Sequence, residues 1–145
     1  MDLYKFETLI VDLFAKMGYG KLQYESHVTR KPGDDGIDGI VTADKLGFDS
    51  IYIQAKSYND TSVGRLDIQK FVGALAVQGA QKGIFITRSI YTKEAIAFVE
   101  RNLNYKIVLI DGNRLADLMI EYELGVLTQY IYQVNQIDRD YFSEE

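Results

Sequence analysis

With 145 residues, 47% apolar and 26% charged, the chain has the length and balance of one globular domain able to bury a real core. The lack of cysteine excludes a disulfide framework, thiolate chemistry and a cysteine-ligated zinc site, and no apolar run approaches a membrane span. The net charge of −5 runs against the basic footprint usual for nucleic-acid binders, yet it is unevenly spread: Ile53–Lys106 holds eight basic and four acidic residues, Ile107–Glu145 two basic and eight acidic.

The first element is an amphipathic helix over residues 2–17, with Leu3, Phe6, Ile10, Leu13, Phe14 and Met17 at three- and four-residue spacing. Asp2, Lys5, Glu7, Asp12 and Lys16 interrupt its apolar residues, so it is no signal peptide, and a cytoplasmic protein with no membrane partner is expected. Glu7 stands within the ridge formed by residues 3, 7, 10 and 14. A carboxylate there is paired, hydrogen-bonded or bound to a cation, or it reaches water at the helix edge. Gly18-Tyr19-Gly20 ends the helix, and Leu22 to Arg30 alternates as a strand carrying His27, the only histidine. One histidine excludes a His-pair metal site. Lys31 to Gly36 is a turn leading into a strand over Ile37–Thr42.

Asp44 to Ser50 joins this strand to a second, Ile51–Lys56, as a β-hairpin. Side chains repeat every two residues along a strand, so Ile51, Ile53 and Ala55 share one face and Tyr52, Gln54 and Lys56 the other. An amide oxygen and an ammonium therefore stand about 7 Å apart, with Asp38 available from the neighbouring strand. A carboxylate and a carbonyl oxygen suit a hard divalent cation, and a lysine beside them can orient water and offset charge on a phosphate. Read plainly, Asp38 is a strand-end acid and Lys56 a solvated strand lysine. The acidic cluster lacks the glutamate of an EF-hand, and no glycine-rich phosphate loop occurs.

After a polar loop, residues 64–81 form a helix expected to turn Leu66, Val72, Leu75 and Ala76 inward, with Arg65 and Gln69 near one ridge and aimed at one target. Ile84–Thr87 is a short buried strand, followed by Arg88-Ser89 and a helix from Thr92 to about Leu103. Ile107–Ile110 is another buried strand, and Asn113 to about Tyr122 a last helix. Leu127 to Ile137, with Tyr130 and Tyr132, reads as a final strand or arm, and residues 138–145 form an acidic end prone to fraying.

Taken together, Gly33-Asp34-Asp35-Gly36-Ile37-Asp38-Gly39, Tyr52-Ile53-Gln54-Ala55-Lys56, Val63-Gly64-Arg65-Leu66-Asp67-Ile68-Gln69-Lys70-Phe71, Gly83-Ile84-Phe85-Ile86-Thr87-Arg88-Ser89 and Ile110-Asp111-Gly112-Asn113 resemble, in the same order, the Mrr-type restriction endonuclease domain of the PD-(D/E)xK nuclease superfamily, in which Gln replaces the usual acid. The resemblance implies an α/β fold, a restriction-endonuclease-like mixed sheet flanked by helices in the order αβββαβαβαβ, and a Mg²⁺-dependent endodeoxyribonuclease in which Mn²⁺ substitutes. It implies Asp38 and Gln54 as metal ligands, Lys56 at the attacking water and Glu7 as an added acid from the first helix. Arg65, Gln69, Thr87 and Arg88 are then candidates for contact with double-stranded DNA. A homodimer or higher oligomer is expected, since one such site cuts one strand at a time and two strands need two sites, most simply related by symmetry. The tyrosine-bearing segment Gln129–Val134 is the interface expected for it. Resembling proteins carry a separate N-terminal DNA-reading domain; here the catalytic helix starts almost at Met1, so residues 1–145 read as a single nuclease domain without it. The alternatives from the same residues are a catalytically silent nuclease fold that binds DNA or protein, and a junction-resolving or repair nuclease.

Overall fold

The computed structural model describes residues 3–19, 23–24, 36–101 and 104–124. The expected strand or arm over Leu127–Ile137, the tyrosine segment, His27, the acidic end and most of Leu22–Arg30 lie outside these. The elements run α1 (Leu3–Lys16), β1 (Gln23–Tyr24), β2 (Gly36–Thr42), β3 (Ser50–Lys56), α2 (Arg65–Gln78), β4 (Lys82–Thr87), α3 (Lys93–Arg101), β5 (Lys106–Ile110) and α4 (Gly112–Glu121). The strands form one mixed sheet in the order β1-β2-β3-β4-β5. β1, β2 and β3 pair antiparallel, whereas β4 joins β3, and β5 joins β4, in parallel.

The sheet is covered on both faces because its central strands are apolar on both. Ile51, Ile53 and Ala55 of β3, with Val41 of β2 and Ile86 of β4, meet Phe6, Leu9, Ile10, Leu13 and Phe14 of α1 and Leu115 and Leu118 of α4. Tyr52 and Phe85, on the other face, meet Ile68, Phe71 and Leu75 of α2 and Ala95 of α3. Both crossovers of the parallel half, through α2 and α3, therefore lie on one side, the arrangement that right-handed connections between neighbouring parallel strands produce.

Local signals set where α2 begins and ends. The Asp67 carboxylate accepts from the Gly64 amide at 3.3 Å, satisfying a donor at the helix start. Gly79 adopts φ 70°, and the Ala80 amide donates to Leu75 O at 3.0 Å, a left-handed glycine stop that ends the helix before residue 81. Its buried stripe is Ile68, Phe71 and Leu75, with Val72 packed alongside. Leu66 is 73% exposed and Ala76 is exposed as well, correcting the expectation that both turn inward. At about 100° per residue, Leu66 lies nearly opposite Ile68 on the helix.

Gly83 lets this helix sit close on β4. A Cβ there would stand 2.7 Å from Phe71 Cζ and 3.0 Å from Leu75 Cδ2. Gly83→Val is therefore expected to lower stability by about 1–3 kcal/mol, against the general preference of strands for valine. A thermal melt checks this; a rise in Tm would show that the ring has room to yield.

At the hairpin tip, Asp44 accepts from the amides of Asp49 at 3.0 Å and Phe48 at 3.2 Å. These bonds, that of Asp49 foremost, hold its carboxyl below the usual aspartate range. Because the folded value is depressed, the contribution is present above the ordinary aspartate pKa and disappears as pH falls through the lower folded value. Asp44→Ala should speed amide exchange at Phe48 and Asp49, with little change in the global melt, since the residue is half-buried at the hairpin tip and outside the core. Unchanged exchange at both amides would contradict this role.

Candidate active site

The β2–β3 ladder puts Asp38 directly opposite Gln54 and Lys56 opposite Gly36. Directly opposed residues of an antiparallel pair hold their Cβ atoms about 4.5–5.5 Å apart, so the Asp38 carboxylate and the Gln54 amide rise side by side. Lys56 follows two residues along the same face, and the glycine across from it adds no side chain to crowd it. This is the face of Tyr52 and α2. Cover by α2 is complete over Tyr52, which is 2% exposed, and thins toward the strand end, where Asp38, Gln54 and Lys56 are half-buried. The three side chains thus stand at the carboxyl ends of the parallel strands, where open α/β sheets place their ligand sites.

Tyr52 belongs to the same cluster, although residue pattern alone assigned it nothing beyond its face. Its Oη donates to Asp38 Oδ2 at 2.9 Å. Its ring stacks on Phe71 with centroids 5.7 Å apart, and Phe71 meets Phe85 edge-on at 5.3 Å. The signal that could have found it is the diagonal of the ladder. Tyr52 lies two residues before Gln54, and such diagonal neighbours are within reach of an aromatic side chain.

β4 closes the other side. Thr87 pairs with Lys56 but is fully buried, its Oγ1 accepting from the Ser89 amide at 3.2 Å, which leaves it no surface to offer a phosphate. Arg88 turns to the opposite face, where its guanidinium lies 5.8 Å over the Phe6 ring. Its Nη2 donates to Ser57 O at 3.0 Å and Ser57 Oγ at 3.1 Å. The end of β4 is thereby tied to the residue after Lys56, a brace that no sequence spacing announces.

The remaining candidates scatter. Arg65 is exposed and sits 5.5 Å over the Phe98 ring of α3, and Gln69, one helical turn further along α2, is half-buried. Glu7 is half-buried with its Oε1 shielded from solvent. Its helix packs on the Ile53 face, opposite Asp38. Because the neighbouring Phe6 lies under Arg88, the start of α1 and the Asp38 cluster share one end of the sheet. Among the described residues no group of three or more His, Cys, Asp or Glu side chains gathers, and the β2–β3 register brings one carboxylate, Asp38, and one amide, Gln54, together on this face.

A family model described as "Restriction endonuclease", that of the Mrr catalytic domain, matches residues 1–119. The chain belongs to the Mrr-type restriction endonuclease family. The Escherichia coli type IV methyl-directed restriction enzyme EcoKMrr is 42% identical over 138 residues, covering 95% of this chain and 44% of that protein. An uncharacterised protein, y4cE, of Sinorhizobium fredii is 34% identical over 100 residues, covering 64% of this chain and 26% of its own length. This Mrr-type chain thus spans less than half of the curated relatives it matches. In solved structures, the modification-dependent restriction endonuclease AspBHI superposes with a TM-score of 0.63 at 18% identity, over 93% of this chain and 35% of that one. The restriction endonuclease MspJI, in complex with a 27-mer oligonucleotide, superposes with a TM-score of 0.57 at 20% identity, over 87% and 30%. At these identities the likeness is one of fold.

Proposed function

We propose that this Mrr-type domain is a divalent-metal-dependent endonuclease that hydrolyses phosphodiester bonds of double-stranded DNA. The observation that carries the reading is the register: Asp38 faces Gln54, and Lys56 follows on the same face at the open end of the sheet. A carboxylate and an amide oxygen are hard donors, and Mg²⁺ is commonly held by one or two carboxylates plus waters and substrate phosphate. The donor set therefore fits Mg²⁺, with Mn²⁺ as a substitute, and Glu7 is an added acid at the same end of the sheet. When bound, the cation supplies acidity for water and positive charge for the phosphate. Asp38 and Gln54 orient it, while the Lys56 ammonium donates to the attacking water or a phosphate oxygen and offsets the developing charge. Water gives up a proton to solvent as its oxygen bonds to phosphorus, the opposite P–O bond breaks in line, and the leaving oxygen takes up a proton from solvent.

Residues 1–145 act here as one nuclease unit in the cytoplasm, and no helix among the described residues is long and apolar enough to cross a membrane. The basic middle of the chain faces DNA in this reading, with Gln69 and the exposed edge of Arg65 toward the backbone and Arg88 bracing the site from behind. Plasmid nicking with Mg²⁺ or Mn²⁺, abolished by EDTA, is the test. DNA binding without cleavage at any metal concentration would instead identify a silent nuclease fold, the reading favoured by Gln54 standing where an acid is usual. Branched against linear substrates distinguish a junction-resolving or repair enzyme. EcoKMrr is methyl-directed by name, and paired methylated and unmethylated plasmids measure whether such a preference resides in these residues.

Gln54→Glu should retain metal-dependent cleavage and bind metal more tightly, because the substitution keeps an oxygen donor and adds a charge that the cation compensates. A titration of rate against Mg²⁺ reads both effects; loss of all activity would contradict a ligand role for the Gln54 oxygen. A dimer is expected on duplex DNA, since one Asp38/Gln54/Lys56 site per chain cuts one strand per encounter. Light scattering across a concentration series, with and without a short duplex, checks it. A monomer that only nicks would remove the dimer and leave the nuclease.

A further inference from the structure

We infer that Tyr52 is a positioning residue for the cation-holding carboxylate, its buried hydroxyl fixing the rotation of Asp38 so that the remaining oxygen lone pairs face the Gln54 amide. The inference rests on the proposed metal-dependent reading and adds to it a residue outside the acid, amide and lysine set. An aspartate carboxyl turns broadly about χ2, and a half-buried one has water to turn against. Here the Tyr52 Oη to Asp38 Oδ2 bond of 2.9 Å removes that freedom.

The donor itself cannot wander. Tyr52 is 2% exposed, and its ring is pressed on Phe71, which is fully buried and backed by Phe85. The aromatic layer under α2 thereby transmits the rigidity of the core to the edge of the site. The carboxylate keeps Oδ1 wholly, and part of Oδ2, for a cation. Groups that orient a metal ligand through a hydrogen bond typically change metal affinity by 10–100-fold when removed.

Tyr52→Phe is the test, because it keeps the stacked ring and deletes only the hydroxyl. Direct Mn²⁺ binding, followed by the electron-spin signal of the free ion, is measured on this variant, the wild type, Asp38→Ala and Ile68→Val. The expected result is Mn²⁺ affinity lowered roughly 10–100-fold in Tyr52→Phe. The metal concentration for half-maximal cleavage should rise in parallel, with the rate at saturating metal little changed. Ile68→Val loosens the same packed layer without touching the hydroxyl and should bind Mn²⁺ as the wild type does. Wild-type affinity in Tyr52→Phe, with binding lost in Asp38→Ala, would overturn the positioning role and leave the metal site standing. Equal weakening in Tyr52→Phe and Ile68→Val would assign the effect to packing and overturn it as well. If Asp38→Ala binds Mn²⁺ like the wild type, the metal-site reading itself fails and the role of Tyr52 with it.

Discussion

Replacing Asp38 or Lys56 by alanine is expected to abolish DNA cleavage while the fold persists. The two side chains occupy one face of the β2–β3 ladder, Asp38 opposite Gln54 and Lys56 two residues beyond it. Loss of the carboxylate leaves one neutral oxygen donor from this pair, too little for a hard cation that competes with its own hydration. In the proposed mechanism, loss of the ammonium removes the positive charge that offsets the one developing on the phosphate, and deleting one preorganised donor of this electrostatic kind costs roughly 10²–10³-fold in rate. Both positions are half-buried at an open edge, so neither deletion empties the core. Asp38→Ala does take from the Tyr52 hydroxyl the acceptor at 2.9 Å, at a stability cost of about 1 kcal/mol. Asp38→Asn retains an acceptor oxygen and is the cleaner probe of charge. Plasmid cleavage at saturating Mg²⁺, with circular dichroism as a fold control, reads the outcome. Wild-type rates in either alanine variant would sink the proposed mechanism.

Phe71→Ala should have the largest effect on stability. Phe71 is fully buried at the centre of the layer between α2 and the sheet, stacked on Tyr52, edge-on to Phe85 and within contact of the space above Gly83. Truncating a buried phenylalanine costs about 3–5 kcal/mol, a large share of the roughly 5–15 kcal/mol that holds a domain together. A fall in Tm of about 10 °C or more is expected. The same change unseats the Tyr52 ring, so residual folded protein should also bind Mn²⁺ more weakly. A melt within about 2 °C of the wild type would mean that the layer closes over the gap.

The hairpin and the facing of its second strand were legible in the chain because strand geometry is local. A period of two assigns Tyr52, Gln54 and Lys56 to one face whatever surrounds them, with Asp38 available from the neighbouring strand; that Asp38 stands directly opposite Gln54 came from the ladder itself. The order of helices and strands was legible for the same reason, as was the start of α2 near Gly64, where backbone permissiveness and the Asp67 carboxylate act within a few residues. The stop of α2 at Gly79 was in the sequence too, but small residues on both sides of it disguised the boundary.

Only the tertiary structure decided which helix covers which face, and with it the fate of the long side chains. Leu66 faces solvent because α2 turns Ile68 and Phe71 inward, a choice made by the aromatic layer on Tyr52 and Phe85. Arg65 and Arg88 find Phe98 and Phe6, rings contributed by helices distant in sequence. Thr87 is sealed in, and the helix that carries Glu7 packs on the layer opposite Asp38. The link from Tyr52 to Asp38 crosses strands on a diagonal, so the same alternation permits it without requiring it. Strand periodicity placed the amide and lysine together, because it depends on neighbours two residues apart; the packing of α1 and α2 against opposite faces, which no local interaction specifies, determined how each is held.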